Sequence, residues 1–216
     1  MHIYELMQST ARQYNAKHFG FDQYWKKPTF SKSNQGGVCK ALVFGWLKSS
    51  HKHGYLTNET VGLIHSDVRM KHIDQRQTRL GRHNKDHDYL DRFLAGDRTS
   101  RGFGALNLTR IGDPYVASTA LARVSGYELI PSTANIFWNT YESCGCTMGF
   151  GSETMKQNHM VGAYKAPKEF MFFDPNGGLM CFKNADQFHP WFLQQFFRAE
   201  AYATFNFAEF VYYKVG

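Results

Sequence analysis

The stretch "HMVGAYKAPKEFMFFDPNGG", His159 to Gly178, constrains the fold of this chain more than any other. Two strand-like runs flank Pro167, which has no N–H to give a ladder and so belongs at a turn. The second run stops at "DPNG", where Asp at the first turn position and Pro at the second are both favoured. The pair reads as an antiparallel hairpin, and its register can be worked out. With the turn centred on Ala166 and Pro167, His159 lies directly opposite Asp174. With the turn centred on Pro167 and Lys168, His159 lies one diagonal step from Asp174 on the same face. Either register brings imidazole and carboxylate within reach of one another, ~4.5 to 8 Å apart at Cβ. A slip of one residue would send them to opposite faces.

The runs "GLMCFK" and "EFVYYKV" have the same strand-like character, so a sheet is expected in the C-terminal half. Between them, "NADQFHPWFLQQFFRAE" predicts a helix with Phe188, Trp191, Phe192 and Phe196 on one side. A proline deep in a helix costs ~3 kcal/mol, so the main helix is expected to start at Pro190. The N-terminal half reads as helical. Met1 to Lys17 predicts a short helix, and a firm one begins near Val38, where Val38, Leu42, Val43, Trp46 and Leu47 repeat at three and four residues as one buried stripe with Lys40 and Lys48 facing away. Gly112-Asp113-Pro114 reads as a turn and "PYVASTALARVSGYELI" as a helix ending at Gly126. Helices first and strands last give an α+β architecture. At 216 residues one domain is expected over 1–216, with a polar, basic insertion around 65–101 in which "DYLDRFLAG" predicts a helix ending at Gly96. That insertion reads as a solvated helical face, or as an electrostatic contact with a partner or anionic membrane surface.

Chemistry enters at "NQGGVCKALVFGWLKSS", Asn34 to Ser50. A thiol attacks only as thiolate, and the unpaired N–H groups and dipole of a helix start favour that negative charge. Cys39 falls in such a first turn. Gly36 and Gly37 leave room for a substrate backbone and tolerate positive φ. On this segment alone, Cys39 also fits a small buried hydrophobe. His159 fits a core-edge histidine and Asp174 a turn cap. Together the three compose a Cys-His-Asp triad, with His159 as base and Asp174 fixing its tautomer and stabilising its cation. The Cys39 N–H is one oxyanion donor, and Gln35, with Asn34 behind it, is the candidate for the second.

"GVCKALVFGWL" followed by "NHMVGAYKAPKEFMFFDPNGG" resembles the YopT-type bacterial effector cysteine proteases, a papain-like family. The resemblance runs over Gly36–Leu47 and Asn158–Phe182 and rests on a Gly-x-Cys helix start, a His heading a strand and a Phe-Asp-Pro-Asn turn. It implies a papain-like fold, and carries Cys39, His159 and Asp174 over as nucleophile, base and orienting acid. It implies secretion from a bacterium, action in the target-cell cytoplasm, and a host protein substrate, prenylated Rho-family GTPases being one class; since "MHIYELMQSTARQY" lacks the continuous apolar core of a secretory signal, export without a cleavable signal peptide is expected. Relatives with the same triad attach fatty acyl groups to lysines or deamidate Rho proteins. A fold kept as an inactive binding module is a further alternative, opposed by the presence of all three residue types.

Composition narrows the partners. The chain carries a formal charge of +7 and a pI near 9.2, which favours acidic surfaces. Its basic stretch is not interleaved with stacking aromatics and no glycine-rich phosphate loop occurs, so nucleic acid and nucleotide are not expected. No cofactor is expected either. His83 and His87 stand at helical spacing, but a third and fourth metal ligand have no obvious source. The four cysteines are too few for a disulfide scaffold, and Cys144 and Cys146 read as structural thiols.

Overall fold

The computed structural model describes residues 1–25, 30–32, 37–53, 67–82, 108–118, 142–151, 158–197 and 207–215. In chain order these form α1 (Ile3–Ala11), β1 (Lys17–Phe19), α2 (Cys39–His53), α3 (Asp67–Arg82), β2 (Leu108–Ser118), β3 (Cys144–Gly151), β4 (Asn158–Ala166), β5 (Glu169–Asp174), β6 (Gly178–Phe182), α4 (Ala185–Trp191), which runs on as a π turn over Phe192–Phe196, and β7 (Phe207–Val215). The strands make one sheet in the order β1-β6-β5-β4-β3-β7-β2, and every neighbouring pair is antiparallel. The architecture is α+β and papain-like, with the helices of the first half laid against a sheet drawn mostly from the second.

Side chains alternate along the strands and so fill two cores. Met171, Phe173, Leu179 and Tyr164 face α2, where they meet the expected stripe of Val38, Leu42, Val43, Trp46 and Leu47, all buried. Phe170, Phe172, Met180 and Phe182 face α1 and α4. There Phe170 stacks on Phe188 with centroids 4.3 Å apart, and Phe172 meets Trp191 and Phe196 edge-on. Each such ring contributes about 1.5–3 kcal/mol by leaving water. The sheet is therefore clamped from both sides.

Several expectations need correction. The first helix stops at Ala11 rather than Lys17, because the chain turns through Asn15 at φ 50° and re-enters the sheet as β1. Gly112-Asp113-Pro114 is no turn between elements but lies inside β2, where the pairing with β7 shifts between Ile111 and Tyr115. A bulge on an edge strand is where a proline without an N–H can sit. The same strand takes Pro114 to Ser118 out of the expected helix; the remainder of that segment, and the helix expected to end at Gly96, lie outside the described residues.

Within the C-terminal helix the expected start at Pro190 is replaced by a start at Ala185, since Asn184 caps it by accepting the Gln187 N–H at 3.1 Å. Pro190 then falls inside. It has no N–H for the carbonyl one turn back, and beyond it the backbone widens into the π turn closed by Phe197 N–H to the Phe192 carbonyl at 2.7 Å. The buried rings of Phe188 and Trp191 hold the proline turn in place. Part of the basic insertion also departs from a purely solvated face. On α3, Met70 is fully buried, Ile73 packs against the α2 core, and the buried Asp74 carboxylate accepts both the backbone N–H and the hydroxyl of Ser31 at 3.1 Å.

Candidate active site

The hairpin closes on Ala166↔Glu169, so the turn centres on Pro167 and Lys168 and the diagonal register holds. Its ladder ends at Gly162↔Phe173. His159 and Asp174 stand just past that last pair, where His159 Nε2 and Asp174 Oδ1 meet at 2.8 Å. Both are buried, Asp174 completely. The same Asp174 oxygen accepts the Asn176 N–H at 2.8 Å, while the Gly177 N–H closes the turn on the Asp174 carbonyl at 3.0 Å. One carboxylate therefore caps the turn and holds the ring. Gly178 follows at φ 106°, with its α-carbon face against the backbone of Phe19 and Phe21, so no side chain fits there.

Cys39 is the first residue of α2, and its half-buried thiol hydrogen-bonds His159. With Nε2 taken by Asp174, Nδ1 is the nitrogen left for the thiol proton. Burial alone would raise the thiol pKa, but the His159 hydrogen bond and charge, joined by the backbone N–H groups of Met160 and Lys40, bring it below the ordinary value. For His159, burial works to lower the pKa and is overcome by the Asp174 charge and hydrogen bond and by Cys39, which push it up to about 10. Opposite shifts on touching groups favour a thiolate–imidazolium pair. The buried thiols behave differently: burial takes Cys144 to about 12 and, with Glu169, pushes Cys181 up as well. Reactivity is thus confined by environment to one of these sulfurs.

The start of α2 is satisfied from a distance. Leu42 N–H bonds the Val38 carbonyl at 3.0 Å, which makes Val38 the N-cap, and valine has no side-chain acceptor. Gln23 Oε1 instead accepts the Val38 N–H at 2.6 Å, and Gln77 Oε1 on α3 accepts the Ala41 N–H at 3.0 Å. Gln23 also donates through Nε2 to Asn176 Oδ1 at 2.6 Å and through its backbone N–H to the Pro175 carbonyl at 2.7 Å. Tyr24 lies beside this turn, its phenol pKa raised by burial first and then by the charges of Cys39, Asp22 and Asp174.

Of the residues singled out in the sequence, Cys39, His159 and Asp174 come together. Gly37 adopts φ 128°, and the space beside it is filled by the Gln23 amide, since a Cβ there would stand 3.0 Å from Oε1. Asn34, Gln35 and Gly36, and the His83 and His87 pair, lie outside the described residues. Gln23 and Gln77 were missed. The available signal was a negative one, a β-branched residue where a helix start prefers Ser, Thr, Asp or Asn. Among the described residues, no group of three or more His, Cys, Asp or Glu side chains is placed to hold a metal ion.

The family Peptidase_C58, described as the Yersinia/Haemophilus virulence surface antigen, matches residues 144–209, which contain His159 and Asp174 but not Cys39. No curated protein sequence matches the chain. Among solved structures, the Pseudomonas avirulence protein AvrPphB shares 13% identity at a TM-score of 0.57, over 81% of this chain and 90% of its own. The ubiquitin-specific protease of a murine cytomegalovirus tegument protein, solved with a ubiquitin-based suicide substrate, shares 13% over 92% and 84% at 0.48. A cysteine protease-like domain of the Photorhabdus asymbiotica toxin PaTox shares 14% over 95% of this chain and 58% of its own at 0.45. The last two scores are too low to carry weight; the first shows the fold. The chain is thus similar to the YopT-type cysteine proteases across the strands that carry His159 and Asp174, and it shares its papain-like fold with AvrPphB.

Proposed function

We propose that this effector-type cysteine protease is a single catalytic domain that cuts a host protein through an acyl-enzyme on Cys39. The observation that carries the reading is the continuous contact from the Cys39 thiol through His159 to Asp174, with the 2.8 Å His–Asp bond at its far end. The thiolate attacks the scissile carbonyl. His159 then gives its proton to the leaving amine, and the acyl group left on sulfur is released by a water that His159 deprotonates. Asp174 keeps the ring oriented and stabilises its cation. The Cys39 N–H, at the positive end of the helix, faces the developing oxyanion, with Gln35 or Asn34 as the second donor.

Secretion from a bacterium and action inside the target cell accompany this reading, with a small GTPase of the Rho class as the first substrate to try. The net positive charge suits an acidic protein or an anionic membrane near that substrate. No helix among the described residues is long and apolar enough to cross a membrane. Intact-mass spectrometry of a treated GTPase tests the activity. A cut fragment that disappears with Cys39→Ala supports the reading, while undiminished cutting by that folded variant refutes it. A gain of a fatty acyl mass, or of about one dalton for deamidation, would replace proteolysis by transfer or deamidation on the same triad.

A further inference from the structure

We propose that Gln23 and Gln77 are positioning residues of the nucleophile: they take the outer N–H groups of the first turn of α2, so that the inner ones are kept for anionic chemistry. The inference rests on the reading of Cys39 as the attacking thiol. A helix start has four unpaired N–H groups, and an ordinary cap satisfies the third or fourth with an oxygen of its own N-cap residue. Here that residue is Val38. Its N–H is bound by Gln23 and that of Ala41 by Gln77, from segments that approach from outside the turn. The Lys40 N–H bonds the Cys39 sulfur. Among the described residues, that leaves the Cys39 N–H for the oxyanion.

Gln23 is tied at its other end to the acid. The chain of bonds runs from the Val38 N–H to Gln23, from Gln23 Nε2 to Asn176, and from the Asn176 N–H to Asp174 Oδ1, which holds His159. Gln23 is 1% exposed, so its amide has no water to exchange these partners with. The Val38 N–H can only donate, which fixes the amide with Oε1 toward the helix and Nε2 toward the turn. Gly37 lacks the side chain that would force this amide aside. Gln77 is held in turn by α3, through buried Met70 and the Asp74–Ser31 bonds. Two separate segments thus fix where the sulfur stands relative to the imidazole.

The rate of Cys39 alkylation by iodoacetamide across pH tests this without any substrate. The charges that act on the sulfur are those of His159 from the hairpin and Tyr24 from the segment before α2, with Asp174 acting on both and Asp22 on Tyr24, and all four groups are left intact. Gln23→Met and Gln77→Met keep the volume and remove the amide. Each is expected to slow alkylation at pH 6 about tenfold and to move the rising limb about one unit higher. Gln75→Met, at an exposed position on α3, should leave the limb in place. A lowered melting temperature with an unmoved limb overturns the inference, as does an equal shift in Gln75→Met. If Gln23→Met fails to fold, Asn176→Ala breaks the same chain at the half-buried turn, and an unmoved limb there overturns it equally. Wild-type Cys39 reacting no faster at pH 6 than a simple thiol refutes the acyl-enzyme reading itself; fast wild type with equally fast variants refutes only the positioning role.

Discussion

The two halves of the candidate site are built by opposite means. His159 and Asp174 are set by one hairpin, fifteen residues apart, with the register fixed by a proline turn and by alternation across the sheet. The sulfur is set by a helix start whose satisfying partners come from Gln23 and Gln77, on segments that precede and follow it. The hairpin half is local and self-contained. The helix half depends on tertiary packing, so it should be the softer side of the site and the one through which distant substitutions act.

The largest effects should come from breaking the thiol–imidazole contact outright. Cys39→Ala or His159→Ala is expected to cost at least about 10⁴-fold in kcat, measured on whichever substrate the mass assay identifies; melting temperature should change little in Cys39→Ala and fall in His159→Ala, where the buried Asp174 loses its partner. Asp174→Asn probes the hairpin half alone. It keeps the shape but holds the wrong proton toward His159, and about 10³–10⁴-fold in kcat should be lost.

Moving the helix against the hairpin should cost less activity and more stability. A Cβ at Gly162 would lie 2.9 Å from both Trp46 and Val43, so Gly162→Ala must push α2 away from β4. About 1–3 kcal/mol of stability should be lost, read by denaturant unfolding, together with a fall in kcat. An unchanged kcat in that variant would show the two halves to be less tightly coupled than their contacts suggest.

The smallest effect is a slope. His159 has a folded pKa raised to about 10 from an ordinary 6.5, so the stability it confers is complete below 6.5 and is lost as pH rises through about 10. Thermal melts between those values should decline with pH in the wild type and more weakly in Asp174→Asn. Equal slopes would remove Asp174 as the cause of the raised pKa.

The same contrast explains what could be read in advance. The β4–β5 hairpin and the buried stripe of α2 declare themselves in the sequence because their determinants are neighbours along the chain. β3 does not: "CGCTMGFG" is poor in β-branched residues, yet all eight are buried in the middle of the sheet. Its glycines answer to tertiary demands, as at Gly145, where a Cβ would already touch Leu47 of α2. β2 was hidden by a proline tolerated at a bulge, and the true start of α4 by one tolerated between two buried rings. The amide caps leave no spacing pattern at all, since Gln23 and Gln77 meet their N–H partners across 15 and 36 residues.

The place of β7 has a consequence for how the protein is made. This strand follows every other described element in the chain, yet it is inserted between β3 and β2. While the polypeptide leaves the ribosome, at ~5–20 residues each second, Leu108–Ser118 has no β7 to pair with until Phe207–Val215 has emerged. The five strands from β1 to β3, histidine and carboxylate included, can assemble in the meantime. They do so with a raw edge along Cys144–Gly151, so the newborn chain is most prone to stick to its own kind in the interval before Phe207–Val215 arrives.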